Sequence, residues 1–355
     1  MAKRPRSLKK ILLGLTVSMI VTGGLVLSLE GGASLWTKWQ ATGDLPPVKE
    51  ISHCEYDPDL GWRHAPNKQV PDLYGNGVGL TTNSQQLRGV GDYALENSDD
   101  RYRVLCLGDS FTMGYGVGDE DTFPALLAQE HKAIDTINMG LGGYGIDQAY
   151  MSYRRDGTKF DVDVLLFSFI VGDFFRMNPQ GNVADLGKPV LELVDGDPVA
   201  INTPVVNLLD VPGFGTRLTR LWHTSCLSGL IPKSLDVPAA KEGAKEQPFV
   251  PVSLRIFEIL RDQSKERGQV FAMAMLPTQA DVGKKRLPLI DDWLIPQLKK
   301  RGIPLIDVRP AFKKVPNTEL PGHFTMGHYS RRGNRVAAKA LLAGIRKLDP
   351  NCPRK

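Results

Sequence analysis

The chain has 355 residues, 42% hydrophobic and 23% charged, with a formal charge of +5. That length and balance suit one large globular domain or two modest ones. Much of the charge lies in Lys3, Arg4, Arg6, Lys9 and Lys10, and no basic stripe interleaved with aromatics follows, so no nucleic-acid partner is expected.

Residues 11–29, ILLGLTVSMIVTGGLVLSL, carry no charge and are close to the length a helix needs to cross a hydrocarbon core. The basic cluster precedes them and Glu30 follows. The positive-inside rule then places a tail of residues 1–10 in the cytoplasm and everything after Glu30 outside. The run is long for the apolar core of a signal peptide, whose cleavage would fall near Gly31-Gly32-Ala33. A single-pass anchor in the cell membrane is therefore expected.

Residues 30–100 read as a stalk followed by a turn-rich segment. The stalk carries Gly31-Gly32, Gly43 and Pro46-Pro47 and shows no period. Residues 53–100 are punctuated by Asp57-Pro58, Gly61, Pro66, Gly75, Gly77 and Gly79, which suggests short strands and loops packed on the main domain.

From Arg103 strands alternate with helices. Val104–Leu107, about 133–139, 162–171, 270–276 and 303–308 read as buried strands. Helices are expected over 123–129, 147–155, 251–267 and 330–347, the last with Ser330 as N-cap and Ala337, Leu341 and Ile345 on one side. A further helical segment is expected to be broken by Pro288 and Pro296. The alternation implies a three-layer α/β/α domain over 101–350 with a five-stranded parallel sheet, in which ligands bind beyond the carboxyl ends of the strands. Residues 178–247 interrupt the pattern as an insertion, with 237–247 a charged loop.

Cys54, Cys106, Cys226 and Cys352 are scattered, with no CxxC or Cys/His spacing that suggests zinc. Neither a metal nor an organic cofactor is expected. Cys106 reads as a buried small hydrophobe; outside the cytoplasm one disulfide could form, and the sequence does not choose the pair.

Three segments carry chemistry. In Gly108-Asp109-Ser110-Phe111-Thr112, a serine just past a buried strand projects at the sheet's carboxyl edge. There the next helix's N-terminus favours a developing oxyanion. Asn138-Met139-Gly140-Leu141-Gly142-Gly143-Tyr144-Gly145 follows the second strand and can present a backbone N–H donor. His328, before the final helix, is a base for a serine nucleophile, and His323 is a second candidate. Each motif alone has an ordinary structural use: a capped turn, a glycine-rich loop, a surface histidine.

Together these segments resemble the SGNH/GDSL hydrolase family from roughly Arg101 to Leu348. Tyr56-Asp57-Pro58-Asp59-Leu60-Gly61-Trp62-Arg63 and Asn83 to Gly89 resemble the segment that precedes the hydrolase domain in membrane-anchored bacterial members. The resemblance implies a flavodoxin-like fold, Ser110 as nucleophile and first oxyanion donor, Gly143 as second donor with Gly140 the alternative, and His328 as general base. It implies an acylated small molecule, polysaccharide or lipid as substrate, at the cell envelope. An acyl transfer on the same scaffold, or a binding protein without turnover, are the alternatives. Two positions depart from the family. Gly172, before Asp173, stands where the family has an asparagine donor. Thr325 and Met326 stand where it has the aspartate that orients the histidine. Asp307 and Glu319 are the stand-ins by position.

Overall fold

The computed structural model describes residues 8–40, 52–98, 100–178, 187–205 and 249–354. Residues 48–210 and 242–355 form one compact unit, and the N-terminal helix belongs to another.

That helix, α1, spans Leu8–Gln40. Its stretch Leu13–Gly32 is long and apolar enough to cross a membrane, with a mean hydropathy of 1.7 and none of it buried. The helix outruns the expected boundary at residue 29. Two glycines cost a helix about 1 kcal/mol each relative to alanine, and no proline falls between Gly31 and Pro46, so nothing in Gly31–Gln40 stops it. The rest of the expected stalk, residues 41–51, lies outside the described residues.

In the second unit the sheet consists of β1 (Tyr102–Gly108), β2 (Ile134–Gly140), β3 (Val164–Phe169), β4 (Val270–Met275) and β5 (Leu305–Asp307). The order is β2-β1-β3-β4-β5 and every pairing is parallel. This is the flavodoxin-like order, which reverses direction at β1 and opens a crevice beyond the carboxyl ends of β1 and β3. The sheet matches the expected five-stranded parallel architecture.

Alternation along the strands builds both faces. Leu105 and Leu107 pack into one core with Tyr150, Phe257 and Leu260 of helices α3 (Ile146–Arg155) and α4 (Phe249–Glu266). Val104 and Cys106 pack into the other with Phe123, Leu127, Ala338 and Leu341 of α2 (Phe123–Gln129) and α5 (Arg331–Leu348). A sheet covered on both sides needs nearly continuous apolar strands, and β1 and β3 are buried throughout, with Arg103 and Ser168 as polar exceptions.

The turn-rich segment forms two small antiparallel pairs, Cys54–Asp57 with Gly61–His64 and Gln69–Val70 with Leu80–Thr81. Pro296 does not break its helix as expected. A π-helical turn over Leu289–Leu294 leads into the helix Ile295–Lys300, with the proline in its first turn, where no intrahelical N–H is required of it. Within the insertion, Leu191–Val194 and Asp197–Ala200 form a hairpin. Residues 179–186 and 206–248, including Cys226 and the expected charged loop, lie outside the described residues.

Candidate active site

β1 ends at Gly108, and the chain turns at once into the short helix Ser110–Met113. Asp109 caps it, its carboxylate accepting the Phe111 N–H at 2.9 Å. Ser110, as the first helical residue, presents an N–H with no intrahelical acceptor. The Asn138–Gly145 segment packs directly against this turn: a Cβ on Gly140 would come within 2.1 Å of Met113 N. Only glycine allows that approach.

His328 reaches the same place from the far end of the chain. Phe324–Thr325 and His328–Tyr329 pair antiparallel across the two residues Met326 and Gly327. Both have positive φ, +49° and +76°, as a type I′ turn requires. The turn brings His328 Nε2 to 2.7 Å from Ser110 Oγ. Nδ1 lies 2.9 Å from the Met326 carbonyl oxygen. A carbonyl can only accept, so Nδ1 carries the proton and Nε2 accepts from the serine hydroxyl.

The His328 ring lies between Phe111 and Tyr115, at centroid distances of 4.7 and 4.6 Å. Burial there lowers its pKa; the Met326 carbonyl and the Asp109 carboxylate oppose the shift, and Arg176 adds to it. The imidazole is thus neutral and competent as a base near pH 7.

Asp109 Oδ2 is 3.4 Å from Ser110 Oγ and accepts from Arg176 at 2.9 Å. The same guanidinium nitrogen donates to Asp173 Oδ1 at 2.6 Å and to the Tyr144 carbonyl at 3.3 Å. Burial, then the neighbouring Asp109, pushes the Asp173 carboxyl well above the usual range, with Arg176 acting against both. Its Oδ2 accepts the Ile170 N–H at 3.0 Å. Lys188, from the insertion, donates to the Arg176 carbonyl at 2.7 Å and pairs with buried Asp147.

The remaining expected residues fall as follows. Gly140 N–H is taken by Asn138 Oδ1 at 3.0 Å, so it is not available as an oxyanion donor. Gly143 has φ +79°, and no acceptor among the described residues takes its N–H. Gly172 begins the short helix Gly172–Phe175 and offers no side-chain donor. His323 Nδ1 bonds the Glu319 carbonyl at 3.0 Å, not Ser110. Asp307 is engaged by Arg309, at 2.8–3.1 Å, and does not serve His328.

Sequence reasoning assigned no side-chain role to five residues that shape the site. The Trp62 indole donates to the Gly142 carbonyl at 3.0 Å, and Tyr144 Oη donates back to the Trp62 carbonyl at 2.6 Å. The hairpin thereby clamps the loop that carries Gly143. Arg88, buried, donates to the carbonyls of Met113, Gly114 and Val117 at 2.6–2.8 Å and fixes the exit of the serine helix. Arg176 and Lys188 complete the carboxylate cluster. Of these, Arg176 left a signal, being three residues from Asp173 on a helical turn.

No protein-family model and no curated protein matches the chain. Solved structures do. They include an acetyl xylan esterase and lipolytic proteins of the G-D-S-L family. The acetyl xylan esterase AlAXEase is 13% identical, with a TM-score of 0.41, covering 68% of this chain and 99% of its own. A lipolytic G-D-S-L family member from Veillonella parvula is 13% identical, with a TM-score of 0.37, covering 68% and 96%. A GDSL-like lipase from Bacteroides thetaiotaomicron is 10% identical, with a TM-score of 0.39, covering 72% and 92%.

Proposed function

We propose that this chain is a serine-dependent ester hydrolase of the SGNH/GDSL type. The observation that carries the proposal is the 2.7 Å contact between Ser110 Oγ and His328 Nε2, with the tautomer fixed by Met326. Ser110 attacks the ester carbonyl while His328 takes its proton. The N–H groups of Ser110 and Gly143 hold the developing oxyanion, and the imidazolium then protonates the leaving alcohol. Water repeats the sequence to release the acid.

A carboxylate in such a triad fixes the tautomer and also steadies the imidazolium. Here the Met326 carbonyl does the first. The second falls to Asp109, whose charge acts through space from the serine side. The lost asparagine donor at Gly172 costs about 100- to 1000-fold in rate, so a slow enzyme is expected.

In this reading α1 anchors the protein in the cell membrane, residues 101–350 form the hydrolase domain outside it, and an acylated small molecule, polysaccharide or lipid of the envelope is the substrate. The test is labelling of the protein by a fluorophosphonate probe. Wild type should label, and Ser110→Ala and His328→Ala should not. A folded wild type that fails to label refutes an activated serine and leaves a binding protein. Ester turnover that rises on adding a sugar acceptor, with transfer product formed, marks an acyltransferase.

A further inference from the structure

His53, Cys54 and His64 meet where the Cys54–Asp57/Gly61–His64 hairpin joins the domain. In its register Cys54 lies directly opposite His64, and the Ala65 N–H donates to the His53 carbonyl at 2.9 Å. One ligand atom from each side chain lies within 4.8 Å of the other two. The two imidazoles are 2% and 1% exposed, with centroids 5.3 Å apart.

Three of their four ring nitrogens lack partners. His53 Nδ1 and both ring nitrogens of His64 are buried without a hydrogen bond. The carbonyls of Gly140 and His53 act on the His64 ring, but without the alignment of a hydrogen bond. A buried polar atom left unpaired costs roughly 1–3 kcal/mol, and three in one place require an explanation. Neutral imidazole is the form that binds metal. Arg88 disfavours a cation nearby, but its own charge is paired with Asp119 at 2.8 Å.

We propose that His53, Cys54 and His64 form a three-ligand site for Zn2+. Two imidazoles and a thiolate match zinc's ligand preference, whereas calcium and magnesium seek oxygen. Zinc holds nitrogen at about 2.0–2.1 Å and sulfur at about 2.3 Å, so small side-chain rotations bring the three atoms onto one ion. Water takes the fourth position on the side of partly exposed Cys54. Binding releases the one proton of the Cys54 thiol and none from the neutral rings. The role is structural: Trp62 of the same hairpin holds the Gly142 carbonyl, so the ion fixes the clamp on the Gly143 loop. The site stands independently of the hydrolase reading.

The test uses the full chain in detergent, stripped of metal and titrated with Co2+ and then Zn2+. One equivalent of Co2+ should give a thiolate charge-transfer band in the near ultraviolet, and one of Zn2+ should bleach it. Zn2+ should also raise the melting temperature. Cys54→Ser should lose the band and the thermal shift, His64→Gln should weaken Zn2+ binding at least tenfold, and Cys226→Ser should leave both readouts unchanged. A wild type that takes up no equivalent of metal, or a band that survives Cys54→Ser, overturns the site. The wild-type titration decides the question even if a histidine variant fails to fold.

Discussion

The Nδ1 proton of His328 is held by the carbonyl of Met326, two residues earlier in the chain, at 2.9 Å. The turn that carries the histidine also orients it. A backbone acceptor is rigid and neutral, so the ring is aligned with no countercharge on its Nδ1 side.

Adding that countercharge should raise activity. Thr325 is the direct cross-strand partner of His328, and opposed side chains lie about 4.5–5.5 Å apart at Cβ. In Thr325→Asp the carboxylate would favour the imidazolium and raise the histidine's pKa. We expect kcat/KM on a p-nitrophenyl ester to rise about tenfold, with the acid limb of the pH profile moved to higher pH. An unchanged limb would mean that the new carboxylate does not reach the ring.

In the wild type the shift runs the other way. Burial lowers the His328 pKa, and in the proposed mechanism the neutral form is the base. Activity should therefore persist below the usual histidine range near pH 6.5 and fall only at lower pH. Asp109→Asn keeps a capping oxygen but removes a charge that favours imidazolium. Its acid limb should move lower still, and its plateau rate should drop. A pH-rate series on both proteins checks the sign.

Trp62→Phe keeps an aromatic ring and deletes the donor to Gly142. The carbonyl and the loop behind it lose their tie, at a cost of about 1 kcal/mol or slightly more in stability. If Gly143 is an oxyanion donor, kcat should fall about tenfold with little change in KM, since only the transition state uses that N–H. Steady-state kinetics alongside urea unfolding separates the two effects.

Lys188 and Asp147 are 1% and 0% exposed at the side chain. Burial raises the Asp147 pKa and lowers that of Lys188, and the pairing opposes both shifts. Removing one partner leaves the other buried and unpaired. Lys188→Met should destabilise the domain by about 3–5 kcal/mol, whereas Lys188→Met with Asp147→Leu should recover much of the loss. Chemical denaturation of the wild type and the two variants tests this.

The sheet was legible because strands buried on both faces are nearly continuous apolar runs, as Val104–Leu107, 162–171 and 270–276 are. Ser110 and His328 were legible because each sits at an element boundary in a recognisable motif. The orienting group was not, since a backbone carbonyl leaves no side chain to read. The hairpin around Asp195-Gly196 had a readable turn signal that its place in a mixed, proline-rich stretch obscured. The trio of His53, Cys54 and His64 follows no motif spacing: two ligands are neighbours and the third arrives through strand pairing. The overrun of α1 past residue 29 shows that two adjacent glycines alone do not end a long helix.

The serine and its histidine stand 218 positions apart, on the first strand's exit and the last hairpin. Closing so long a loop comes late in folding, because its entropy is lost before its contacts form. In the proposed mechanism, a form in which this loop is still open carries an ordinary alcohol at Ser110. Reactivity toward an electrophilic probe would mark molecules in which the whole domain has closed, so the same labelling reaction can count finished copies in a mixed population.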